Sequence, residues 1–175
     1  MTPHSNAPNT DRSAAALREA LDMAFDIRFA MVSIPGARVV PRPMLTQRLD
    51  DEDRLWFFAP AASELVRALP GEHRLLLTYA DPGAQRYVSV EGGGVVLRDE
   101  ALARDMWAPM DQAYFHGGPA DPALRLLCVR PQRAELWAQD GTRLGQYARL
   151  LAAAAGLTQL SPDPLKRHAV ILRRD

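Results

Sequence analysis

Short apolar runs, broken at close intervals by turn residues, constrain this chain more than any other feature. Ile27–Ile34, Ala37–Leu49, Leu55–Ala59, Arg74–Ala80, Gln85–Leu97 and Leu124–Ala138 read as strands. Pro35-Gly36, the acidic run 50–53, Asp81-Pro82-Gly83 and Asp140-Gly141 supply the turns. Six strands joined mostly by short connections favour antiparallel pairing, because parallel neighbours need long crossovers. Helices are peripheral. Asp11 or Ser13 can cap one whose stripe is Leu17, Ala20, Leu21, Ala24 and Phe25, Ser63 caps a short one ending at Pro70-Gly71, and Asp99 starts one toward Trp107. A final helix is expected over Tyr147–Ala155. The predicted fold class is α+β, mainly β: a six-stranded antiparallel barrel with helices around it.

Three strands carry irregularities. Pro41 and Pro43 cannot donate to a ladder, so the second strand is expected at an edge or with a bulge. Leu55–Ala59 is apolar without alternation, which predicts burial on both faces. Glu91-Gly92-Gly93-Gly94 lacks the Lys-Ser/Thr and the helix of a phosphate loop, and reads as a β-bulge or tight bend.

At 175 residues with no internal composition break, one domain is expected, with residues 1–10 as a disordered tail and 161–175 as a C-terminal tail. The 21 basic and 21 acidic residues cancel, so no global field draws the chain to nucleic acid or to an anionic membrane. The first ten residues lack a signal-peptide pattern, and the longest apolar run, Leu150–Leu157, is too short to span a bilayer. Cys128 is alone among apolar neighbours and reads as a buried thiol, so a cytoplasmic protein is expected. His4, His73, His116 and His168 show no metal-ligand spacing, and no metal site is predicted. No Gly-x-Ser-x-Gly elbow appears, and no Ser or Cys has an assignable base.

Arg42 precedes Pro43 and Met44 on one strand, and the aromatic strand containing Trp56, Phe58 and Ala59 runs into Ser63. A cation, a flat apolar wall and a hydroxyl at a helix start can together hold a planar ring carrying a phosphate. Read without further context, Arg42 is a surface charge on an edge strand and Ser63 an ordinary cap.

The ordered segments RFAMVSIPGARVVPRPM, RLWFFAP, RYVSVEGGG, Trp107-Ala108-Pro109, YFHGGPADPALRLLCV and RAELW resemble the pyridoxamine 5'-phosphate oxidase-like split barrels, in particular their general stress protein branch. The resemblance implies that 11–160 is a split β-barrel which forms a homodimer and binds FMN, or another planar anionic ligand, at the dimer interface. The implied cofactor-binding positions are Arg42, Pro43, Met44, Trp56, Phe58, Ala59, Ser63, Leu65 and Trp137. Catalytic residues are not implied, although a flavin-dependent oxidoreductase is. This chain has Ala59 where the family usually has threonine, Leu65 where it has a phosphate-binding lysine, and Glu64 where some relatives have arginine. Those departures leave open a cofactor-free stress-response or binding dimer on the same fold. Arg143-Leu144-Gly145 stands where true oxidases carry arginine, leucine and histidine, so pyridoxamine phosphate is not assigned as substrate.

Overall fold

The computed structural model describes residues 7–138 and 166–171. Helix α1 (Ala7–Ile27) leads into β1 (Phe29–Ser33), β2 (Arg42–Leu49) and β3 (Leu55–Pro60). A short α2 (Glu64–Arg67) precedes β4 (His73–Asp81) and β5 (Arg86–Leu97), followed by α3 (Glu100–Met106). Two 3-10 turns, Pro109–Ala113 and Gly118–Ala120, connect to β6 (Leu124–Ala138), and β7 (Lys166–Ile171) comes last. The strand order is β3-β2-β1-β4-β5-β6-β7, and β3 also pairs with β6. That extra pairing closes six strands into an antiparallel split barrel. Among the described residues, no helix is long and apolar enough to cross a membrane.

β6 makes the closure possible by serving two neighbours along one edge. Leu124–Val129 pairs with β3, while Arg133–Ala138 pairs with β7. Its other edge follows β5 from Leu126 to Ala138, with one register shift between Glu91 and Gly92. This is the bulge expected at the glycine run. A Cβ at Gly92 would lie 2.1 Å from the Arg130 carbonyl oxygen, so only glycine fits where the strands bend together.

The unbroken apolarity of β3 follows from its two partners. Leu55, Phe57 and Ala59 face the barrel core with Leu127 and Val129 of β6. Trp56 and the half-buried Phe58 face a second cluster made with α3 residues Ala103 and Met106, Phe115, and Leu126 and Cys128 of β6. A strand covered on both faces has no polar side to display. Leu17, Ala20, Leu21 and Ala24 of α1 bury the expected stripe on the barrel. Inside it, Thr46 Oγ1 and Tyr79 Oη lie 3.1 Å apart, a hydrogen bond that satisfies two buried hydroxyls. Burial pushes the Tyr79 phenol above its ordinary range despite that bond.

Several boundaries differ from the sequence reading. α1 begins at Ala7, so residues 7–10 are helical rather than tail, and the helix starts ahead of Asp11 and Ser13. It continues through Ile27, which the apolar run had assigned to a strand. The break falls at Arg28, whose φ of 75° is offset by its guanidinium lying 4.4 Å from the Phe25 ring centroid and donating to the Thr46 carbonyl. β2 starts at Arg42, not Ala37, because Pro41 removes a donor just before it. β2 is interior rather than an edge, with its register shift between Thr46 and Arg48. Within the expected C-terminal tail, residues 166–171 form a strand, since β6 offers them an unpaired edge. The helix expected over Tyr147–Ala155 and the Arg143-Leu144-Gly145 segment lie outside the described residues.

Gly92→Ala should destabilise the protein by about 2–3 kcal/mol, read as a lowered melting temperature. Gly71→Ala, whose added Cβ meets nothing within 4 Å, is the matched control and should change stability by less than about 0.5 kcal/mol.

Candidate functional site

The principal cleft among the described residues lies on the outer wall of the barrel, where β2 and the end of β3 meet α2 and the first 3-10 turn. It measures about 230 Å³. Arg42, Pro43, Met44 and Gln47 come from β2, Phe58 and Ala59 from β3, Ser63 from the N-cap of α2 and Leu65 from the helix itself, and Asp111 and Phe115 from the loop before β6. Phe29, Met110 and Tyr114 form an apolar rim, exposed to 60%, 59% and 80% respectively.

Arg42 is exposed at the start of β2 and has no ion-pair partner among the described residues. A guanidinium left free beside an apolar wall is available to an anion or to ring carbonyls. Phe58 provides that wall. It meets Phe115 edge-on at 6.3 Å and Trp107 at 5.7 Å, contacts that fix its ring. The Ser63 hydroxyl accepts from the Val66 amide at 3.3 Å, so it caps α2 and keeps its own proton for a ligand acceptor.

The two residues that follow Ser63 point different ways. Leu65 is 1% exposed and packs into the barrel core while also lining the cleft. Glu64 is exposed at the surface. Among the described residues lining the cleft, Arg42 is therefore the one cation.

Two sequence-selected residues stand elsewhere. The indole of Trp56 donates to Asp50 Oδ2 at 2.7 Å, and the Arg54 guanidinium lies over its ring at 5.4 Å, so it anchors the β2–β3 turn. Trp137 pairs across the sheet with Tyr87 and Arg167. Leu126 is the partner of Phe58, and Trp137 lies eleven residues (137 − 126) further along β6, roughly 35 Å of extended strand. Within one chain it does not reach the cleft. His116 is exposed and outside it. Cys128 is buried among α3 and β6 side chains, and burial pushes its thiol up to about 11, which leaves it an unreactive thiol at neutral pH. Among the described residues, no group of three or more His, Cys, Asp or Glu side chains could hold a metal ion.

Phe29, Gln47, Met110 and Asp111 line the cleft without having been selected from sequence. Asp111 carried the one usable signal, since an acidic residue three places after Ala108 can cap the turn there. Its Oδ2 accepts from the Ala108 amide at 2.8 Å.

Fold and cleft together define a split-barrel protein with an aromatic-walled, singly cationic recess on its flank. The family model Pyridoxamine 5'-phosphate oxidase like matches residues 15–163, and the chain belongs to that family. A structure from Jannaschia sp. CCS1, described as a general stress protein 26, superposes with a TM-score of 0.74 at 26% identity, covering 91% of this chain and 99% of that one. The general stress FMN/FAD binding protein of Xanthomonas citri gives 0.62 at 23% identity, over 71% and 92% of the two chains. A pyridoxamine 5'-phosphate oxidase-related, FMN binding protein of Nostoc punctiforme gives 0.51 at 12%, over 95% and 98%. A search of curated proteins found no match to this chain.

The Asp50 carboxylate tethers the strand that presents Phe58. Burial alone would raise its proton affinity, but hydrogen bonds from the Trp56 indole, the Arg54 amide and the Arg54 guanidinium hold it below the ordinary 3.8. A lowered value means stability that is complete well above pH 3.8 and lost as pH falls through the folded-state value. Asp50→Asn should cost about 2 kcal/mol at pH 7, roughly 4–8 °C in Tm, and should flatten the acid limb of a Tm-against-pH profile.

Proposed function

We propose that this chain forms a cytoplasmic homodimer that binds FMN in the cleft between β2, β3 and the Met110–Phe115 loop. The observation that carries the reading is one free guanidinium, Arg42, beside a fixed aromatic wall, Phe58 with Phe115, inside one recess. The residues fit the parts of the cofactor unequally. Pro43, Met44, Phe58 and Phe115 suit a flat ring, whereas the phosphate finds Arg42 and the Ser63 hydroxyl but an apolar Leu65. When bound, a flavin supplies hydride or electron transfer, which would make the protein an oxidoreductase. This chain's own part is to orient the ring against Phe58, shield it from water with the rim residues, and place a positive charge at Arg42.

A second copy is favoured by two features. The cleft is small beside the ~300–1,000 Å³ of typical cofactor pockets, and its rim is apolar and open to solvent. Met31 and Val40 extend the exposed apolar surface along the same part of the chain. A two-fold partner would cover such a surface and could bring its own Trp137 toward a cleft the first chain's Trp137 cannot reach. The lone buried Cys128 needs no oxidising compartment.

The cofactor-free alternative draws on Leu65 and Glu64. Loss of one charge-assisted bond weakens binding about ten- to a hundredfold, which leaves room for a barrel that has abandoned its flavin.

Titration with FMN should quench flavin fluorescence with a Kd below ~10 μM, and unchanged fluorescence at ~100 μM would reject the flavin reading in favour of the cofactor-free dimer. Arg42→Ala should weaken FMN about ten- to a hundredfold. Glu64→Arg, an exposed change, should tighten FMN relative to riboflavin. Leu65→Lys should instead lower Tm, because it places an ammonium in the core. Light scattering at micromolar concentration should give twice the chain mass, and a monomer would remove the dimer.

A further inference from the structure

The acidic group in the cleft has no role in holding a phosphate, and a buried carboxylate is costly to place in an apolar recess without one. Asp111 is only 4% exposed, and among the described residues lining the cleft it is the single acid. Capping Ala108 needs one of its oxygens. The other, Oδ1, accepts from Gln47 Nε2 at 2.9 Å, across from the loop to β2. Gln47 lies at the register shift between Thr46 and Arg48, and such a bulge re-aims a side chain that regular pleating would direct otherwise. Each carboxylate oxygen can accept two hydrogen bonds, so one acceptor position on each remains. Gripped from both sides, the carboxylate cannot swing out to water.

We propose that Asp111, positioned by Gln47, is the acceptor that reads the polar edge of the ring: the cleft selects a planar ligand that presents an N–H there. The inference rests on the flavin reading above and deepens it. A flavin's pyrimidine ring carries one imide N–H between two carbonyls. Asp111 accepts from that N–H, and the second Nε2 hydrogen of Gln47 is a donor for an adjoining carbonyl. The same negative charge disfavours a phosphate beside it, which leaves that group to Arg42 and Ser63. Orientation then follows from charge, with the imide edge toward the loop and the phosphate toward the start of β2.

The test uses lumiflavin and 3-methyllumiflavin, identical rings except that the second replaces the imide N–H with N–CH3, titrated into the full chain and followed by fluorescence. Wild type should bind lumiflavin about ten- to a hundredfold more tightly than the methylated ring. Asp111→Asn keeps the side-chain volume but removes the charge and turns one acceptor oxygen into a donor, so a preference that is merely steric survives it, while one due to the carboxylate shrinks to a few-fold. Asp111→Ala should shrink it too, and Arg42→Ala should leave the ratio at its wild-type value while weakening FMN. Equal wild-type affinity for the two rings, or an undiminished ratio in Asp111→Asn, overturns the assignment even where FMN binds. Binding of neither FMN nor lumiflavin at ~100 μM overturns the flavin reading and this inference with it. Thermal melts of Asp111→Asn confirm that folded protein is being compared.

Discussion

The pairing of β3 with the first half of β6 is the constraint on which the rest of the molecule depends. It closes the barrel, and it gives β3 a hydrophobic layer on each face. Leu55, Phe57 and Ala59 are held by the interior, Trp56 and Phe58 by the α3 layer. Phe58 is consequently fixed from behind by Trp107 and Phe115 before any ligand arrives. A wall that is already ordered spends none of a ligand's binding free energy on immobilising itself. Loosening the closure would cost the barrel its seam and the cleft its flat side together.

Charge in the cleft is sparse and opposed. Arg42 stands free near the mouth, while Asp111 is buried and tied to Gln47 and Ala108. Two isolated charges of opposite sign, separated by an apolar wall, discriminate by orientation more than by affinity. The apolar Leu65 fits this economy. The position packs into the core, so adding charge there would trade barrel stability for ligand contact. Cys128 belongs to the layer behind the wall, where desolvation keeps its thiol protonated.

Much of the fold was legible because the deciding signals are local. β6 was readable to its exact limits from an apolar run bounded by Pro122 and Asp140-Gly141, and the glycine run marked the bulge opposite Arg130 and Pro131. The start of β1 was not legible, since Ile27 and Phe29 form one apolar run and the break is a tertiary event at Arg28, made tolerable by Phe25 and by the Thr46 carbonyl. β7 escaped notice because its pairing depends on where β3 departs from β6. At the cleft, Arg42, Phe58 and Ser63 were accessible through motif order. Gln47 and Asp111 sit 64 apart in sequence and meet only after the barrel closes. Trp56 and Trp137 show the converse, as aromatic residue type alone does not say which side of a strand, or which end, a ring will occupy.

β7 has a consequence for how this sheet behaves toward other chains. Where β3 peels away from β6, residues 133–138 would otherwise present an open row of amides and carbonyls, the kind of seam along which unrelated polypeptides zip together. The late strand acts as a selvedge that keeps the weave from fraying into aggregation, while the cleft at the opposite end of β6 stays free of it.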